Sequence, residues 1–323
     1  MRLDVPACAA ALGLTYIGPC PGGEVGAGYV LLSDGRRAVL TSGNAASAPL
    51  VTIARAAGVP APHYERVTDV AGVTVVVQEL LPGLPPAVTD RAVVDAMLAV
   101  SARCTGLLRD SGLPPRQLYL HSDGPGFCHH GSLAGHSARS ADLLARIEAN
   151  PMEVLPGDDL VHFDFHPGNV LVSPNATTGP AGTSLSPAGT AAAIDSTAAA
   201  GNDTAIGASD AAVTVTGVVD WDGAGRGNRA FDLVTLLFVV SRHAPHLTAP
   251  IRDAAVALAP PDVLAACWAH MSLRQVDWSI RHHTAAEVDA WLTVAETAPW
   301  PTAETNAAPW PTAEANAAPW VRH

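Results

Sequence analysis

Short apolar runs broken by tight-turn residues open the chain, and their alternation marks strands. Tyr29-Val30-Leu31-Leu32 and Ala38-Val39-Leu40 flank Ser33-Asp34-Gly35, a hairpin signature within residues 14–41. Residues 50–57 carry a short helical period, closed by Gly58 and followed by Pro60 and Pro62. Val73-Thr74-Val75-Val76-Val77-Gln78 is a β-branched strand that runs out at Pro82-Gly83. From Thr89 the period lengthens to that of a helix, capped by Thr89 or Asp90 and reaching about Arg109. Further helices are predicted over 137–149, 229–243, 246–259, 261–282 and 285–296, with strands at 170–172 and 213–219. This order predicts an α+β fold. A small β-rich lobe spans 1–81, a hinge lies near 79–83, and a mainly helical lobe spans 82–297.

Composition narrows the picture. The chain has 323 residues and is 48% hydrophobic, enough for a packed core. No uninterrupted apolar stretch is long enough to cross a membrane. The run Ala7 to Leu12 reads as a short amphipathic helix and not as a signal peptide. Five scattered cysteines without a CxxC pair read as reduced thiols of a cytoplasmic protein. Net charge is −12, and all 18 basic residues are Arg. That balance argues against nucleic acid. It suits a cationic ligand by long-range steering, or it simply serves solubility. Residues 174–212 are low in complexity and are expected to form a disordered insertion. The tail at 298–323 repeats Ala-Pro-Trp with a ten-residue period, too few copies for a solenoid.

Candidate chemistry concentrates in His162-Phe163-Asp164-Phe165-His166-Pro167-Gly168-Asn169. Asp164 and Asn169 have the spacing of a kinase catalytic loop, which needs a carboxylate for the attacking hydroxyl and oxygen ligands for a divalent metal. Pro167-Gly168 turns the chain between them. Val218-Val219-Asp220 then delivers a second carboxylate at a strand tip, with Asp222 two residues on. The remaining histidines lack metal-site spacing. Trp268, Trp278 and Trp291 read either as core packing or as a cleft wall beside Asp277 and Asp289.

These segments resemble the aminoglycoside phosphotransferase and choline kinase-like family of small-molecule kinases. The stretches 160–172 and 217–238 look like its two C-lobe signatures. Residues 22–31, 35–40, 58–64 and 75–83 look like its N-lobe loop, third strand, post-helix turn and hinge. The resemblance covers about 14–295 without 174–212. It implies a two-lobed protein-kinase-like fold and transfer of the γ-phosphoryl group of ATP or GTP to a hydroxyl. Asp164 would be the catalytic base, Asn169 and Asp220 would bind Mg²⁺, His162 would brace the loop, and Asp232 would hydrogen-bond its backbone. Gln78, Glu79 and Leu81 would meet the nucleobase. Gly22, Gly23, Gly26 and Gly28 would let the loop approach the phosphates. An aminoglycoside or other basic antibiotic is the first acceptor class implied. A choline-, homoserine- or sugar-type metabolite is the second, and a catalytically silent nucleotide-binding protein is the third reading. Oligomeric state is not read from the sequence.

One departure stands out. The family places a Lys where this chain has Thr41, paired to a Glu whose position falls near Ser47. Loss of both halves together leaves no uncompensated charge. Arg37 or Arg55 would have to substitute, or the metal and loop backbone suffice. Thr41→Lys is expected to leave activity intact or to tighten nucleotide binding in a titration. A large loss of activity would overturn this placement.

Overall fold

The structure is a computed structural model that describes residues 3–21, 26–173 and 213–300. The expected insertion at 174–212 and most of the repeat tail lie outside the described residues, as do Gly22 and Gly23. Helix α1 (Val5–Ala11) is capped by Asp4, whose side chain accepts the Ala7 N–H. Strands β1 (Thr15–Pro19), β2 (Ala27–Leu31) and β3 (Arg37–Ser42) lead to α2 (Ala48–Ala56), then β4 (Tyr64–Val70) and β5 (Val73–Glu79). They form one antiparallel sheet in the order β1-β2-β3-β5-β4. The alternation read from sequence decides its faces. Val30, Ala38, Leu40, Val75 and Val77 turn to one side and pack under Val5, Cys8 and Ala9 of α1. Gly28 belongs to this packing, since a Cβ there would meet Val5 and Tyr16 at 2.6 and 2.8 Å. It lies in a paired strand, opposite Leu40 of β3.

The hinge is tight. Gly83 takes φ +99°, and a Cβ there would lie 2.3 Å from Thr216 Oγ1 and 2.6 Å from the Val172 carbonyl. Beyond it come α3 (Arg91–Ala102), α4 (His130–His136), α5 (Ala138–Glu148), β6 (Asp159–Val161), β7 (Val170–Val172), β8 (Val215–Val218) and β9 (Gly225–Gly227). Four further helices, α6 (Ala230–His243), α7 (Thr248–Val256), α8 (Pro261–His282) and α9 (Ala285–Glu296), complete the C-lobe. β7 pairs β8 and β6 pairs β9, both antiparallel. Capping boxes at Ser137 and Thr284 fix the starts of α5 and α9. The helix expected over 89–109 ends at Ala102, because Gly106 adopts φ +67° and the chain turns.

The C-lobe core gathers on α6 and α8. Phe238 stacks on Trp291 at 5.7 Å and meets Trp268 at 4.8 Å. Trp268 and Trp291 are therefore core residues, and Trp278 is half-buried against His282. Leu50, Val51, Ala54, Val59 and Ala61, from α2 and the turn after it, belong to this same apolar cluster. The Val218 N–H donates to the Pro60 carbonyl at 2.8 Å across the two lobes. The five cysteines are free thiols. Among the described residues no helix is long and apolar enough to cross a membrane. Phe238→Ala is expected to lower unfolding free energy by about 3–5 kcal/mol in urea titration. A loss below about 1 kcal/mol would place the core elsewhere.

Candidate active site

Asp232 sits in the first turn of α6 and is buried. Its Oδ2 accepts the His162 N–H at 2.9 Å and its Oδ1 accepts the Phe163 N–H at 3.0 Å. Burial pushes the carboxyl up to about 7, against the pull of those two N–H groups. The loop so anchored passes through Phe163 at φ +68°, a left-handed conformation that costs a non-glycine residue energy. Phe163 is held there by Phe231, 4.4 Å away between ring centres.

His162 links this loop to the next strand. Its Nδ1 accepts the Asp164 N–H at 3.2 Å, so Nε2 carries the proton and donates to the Val219 carbonyl at 2.9 Å. Burial holds its pKa down at about 4, keeping the ring neutral. Trp221 packs 4.6 Å from it and donates its indole N–H to the Val218 carbonyl. The Val219 N–H in turn donates to the Asn169 carbonyl at 2.9 Å. Asp164, Asn169 and Asp220 are thereby carried on two segments locked to each other.

The carboxylate of Asp164 is well engaged. Asn169 Nδ2 donates to its main-chain oxygen at 3.0 Å and to Oδ2 at 3.2 Å. Among the described residues Asn169 Oδ1, the acceptor end of the amide, takes no hydrogen bond. Arg274 of α8 reaches Oδ1 at 3.0 Å and the Phe163 carbonyl at 2.5 Å. His166 Nε2 lies 3.6 Å from Oδ1, and its Nδ1 accepts the Gly168 N–H. Burial raises the Asp164 pKa, but Arg274, His166 and His162 together hold it below the usual value. Asp220 also takes a left-handed φ, +64°. Desolvation at the cleft floor, with Asp164 and Asp222 nearby, pushes its carboxyl up to about 7. Burial raises Asp222 as well, opposed by an N–H bond from Asn44. This clustering of hard oxygen donors under mutual repulsion fits a divalent cation. Among the described residues no three His, Cys, Asp or Glu side chains hold a metal alone.

The place of the missing ion pair is filled differently. The Asn44 N–H donates to Asp222 Oδ1 at 3.2 Å, and its Nδ2 donates to the Asp222 carbonyl at 3.3 Å. Ser47, where the helix Glu was expected, donates to that same carbonyl at 3.4 Å. Arg37 lies over the Tyr29 ring and Arg55 bonds Glu79 and the Ala61 carbonyl, so both are committed elsewhere. At the hinge, buried Gln78 ends the β3–β5 pairing with Glu79, and the Glu79 N–H donates to His63. Leu81 follows, half-buried. Gly26 has φ +92°.

A cavity of about 210 Å³ opens beside Asp164, Asp220 and Asp222. Arg116, Tyr119, Phe127, His270 and Arg274 also line it. The acids expected there are absent from it. Asp277 is buried against Arg281, and Asp289 bonds Arg139. Arg116 and Arg274 escaped the sequence reading. The signal for Arg274 was the polar stripe His270, Arg274, Asp277, Arg281, at helical spacing within apolar α8.

Known structures share this architecture. A thermostable mutant of aminoglycoside phosphotransferase APH(4)-Ia, in ternary complex with AMP-PNP and hygromycin B, matches at TM-score 0.55 and 16% identity, over 89% of this chain and 93% of that one. Its apo form matches at 0.53 and 16%, over 89% and 94%. An aminoglycoside-3'-phosphotransferase of type VIII matches at 0.53 and 17%, over 83% and 97%. The chain has the fold of these phosphotransferases. No protein-family model and no curated protein matches it.

His270 gives a pH test. It is buried, and its Nδ1–H donates to the Leu118 carbonyl. Burial lowers its pKa from 6.5 to about 4. The unfolded chain takes up this proton below pH 6.5 while the fold refuses it, so stability is full above that pH and is lost as pH falls towards 4. His270→Gln should remove about 2 kcal/mol from the stability difference between pH 8 and pH 5, measured by denaturant titration. Equal pH slopes for the two proteins would show that His270 charges freely in the fold.

Proposed function

We propose that this chain is a small-molecule O-phosphotransferase that moves the γ-phosphoryl group of ATP or GTP to a hydroxyl. The observation that carries this is the locking of Asp164, Asn169 and Asp220 into one cleft by Asp232 and His162. Asp164 is ionised at neutral pH and accepts the hydrogen of the acceptor hydroxyl. Its depressed pKa makes it an orienting base more than a strong one, which suits a loose phosphoryl transition state. The acceptor oxygen bonds to the γ-phosphorus as the bond to the β,γ-bridging oxygen breaks. The hydroxyl proton passes to Asp164 and a nucleoside diphosphate departs. Mg²⁺, when bound, neutralises charge on the phosphates. Asn169 Oδ1 and the Asp220 carboxylate are the oxygens that would hold it. Gln78, Glu79 and Leu81 offer hinge backbone to the base, and Gly22, Gly23 and Gly26 belong to the phosphate loop.

Likeness to aminoglycoside phosphotransferases makes a basic antibiotic the first acceptor class. The cavity of about 210 Å³ favours the second class, a metabolite-sized alcohol. Drug-sized ligands occupy pockets of about 300–1,000 Å³. The test is turnover with Mg²⁺-ATP and Mg²⁺-GTP across antibiotics and hydroxylated metabolites. Asp164→Ala should lower the rate by about 10²-fold or more, and Asp220→Asn should abolish Mg²⁺-dependent nucleotide binding. No turnover, with nucleotide binding indifferent to Mg²⁺, would instead favour a silent nucleotide-binding protein.

A further inference from the structure

Asp164, Asp220, Asp222, Arg116 and Arg274 line one cavity together with Tyr119, Phe127 and Phe163. Arg116 makes no ion pair among the described residues; its guanidinium lies 5.5 Å from the Phe163 ring centre. It is nevertheless well fixed. Its N–H donates to the Arg226 carbonyl at 2.9 Å, and its carbonyl accepts the Leu155 N–H at 2.8 Å. The side-chain stem runs over Gly225, where a Cβ would come within 3.1 Å of Cδ. A glycine thus clears the path that aims this cation at the residue preceding Asp164. The neighbouring rings are fixed too, Tyr119 edge-on to Phe127 at 6.3 Å, with Arg274 over Phe127 at 5.5 Å. Arg274 is itself spent on Asp164. Among the described residues that line the cavity, Arg116 is the guanidinium without an ion pair.

We propose that the acceptor is a ring-sized hydroxyl compound bearing a carboxylate, with Arg116 as the residue that selects it. Resting on the phosphotransfer reading, this names its acceptor class. The ring lies against Tyr119 and Phe127, the carboxylate meets the Arg116 fork, and the hydroxyl faces Asp164. A cavity of about 210 Å³ holds one ring and its substituents. A guanidinium matches a carboxylate bidentately and repels an amine.

The experiment compares 3-hydroxybenzoate with 3-hydroxybenzylamine, equal in ring and hydroxyl and opposite in charge, by calorimetry on the full chain without nucleotide. The carboxylate should bind at least about tenfold tighter than the amine. Arg116→Gln should erase that preference, Arg116→Lys should keep part of it, and Gly225→Ala, which displaces the Arg116 stem, should weaken it. Thermal melts confirm that each variant is folded. Equal or tighter binding of the amine, binding of neither probe, or an Arg116→Gln effect confined to Mg²⁺-ATP would overturn the proposal. Parallel turnover assays separate the two readings. Phosphorylation of amines alone, unaffected by Arg116→Gln, sinks the carboxylate and keeps the kinase. Arg116-dependent carboxylate binding without turnover of any acceptor does the reverse.

Discussion

Everything in the cleft hangs from one buried carboxylate. Asp232 uses both oxygens to hold consecutive N–H groups of His162 and Phe163. Without it two buried donors would lose their partners, each at a cost of about 1–3 kcal/mol. With it, the chain is held through a left-handed Phe163 so that Asp164 faces the cavity. His162 passes the constraint onward, since its fixed tautomer ties Asp164 to Val219 and hence to the position of Asp220. The positions of the acidic residues are consequences of a hydrogen-bond chain that starts on α6.

The N-lobe joins this chain by hydrogen bonds. In the resembling family a Lys–Glu pair bridges strand and helix; here Asn44 and Ser47 meet the Asp222 backbone instead. Neutral donors avoid the desolvation cost of a charge placed without its partner. They also leave the positive charge near Asp164 to Arg274, which comes from the opposite lobe.

Much of this was legible beforehand. Helices α8 and α9 match the expected 261–282 and 285–296, and Pro261 and the Thr284-x-x-Glu287 box stand at their starts. Residues of the catalytic loop carry their spacing in the sequence. What stayed hidden depends on contacts far apart along the chain. β4 is a half-exposed strand whose alternation is blurred, and β6 and β9 are too short to show a period. Helix α4 contains Gly131 and Gly135, poor helix formers, and packs against α5 and α8. Arg116 and Arg274 lie on separate segments, and only folding sets them around one cavity.

The shared apolar cluster across the lobes has a mechanical consequence. Helix α2 buries Leu50, Val51 and Ala54 in the same core as Phe231 and Phe238. Swinging the lobes apart as rigid bodies would wet that surface at about 25 cal/mol for every Å² exposed. Wide opening is therefore a rare excursion. Strands β1 and β2 instead pack with α1 in a separate apolar cluster.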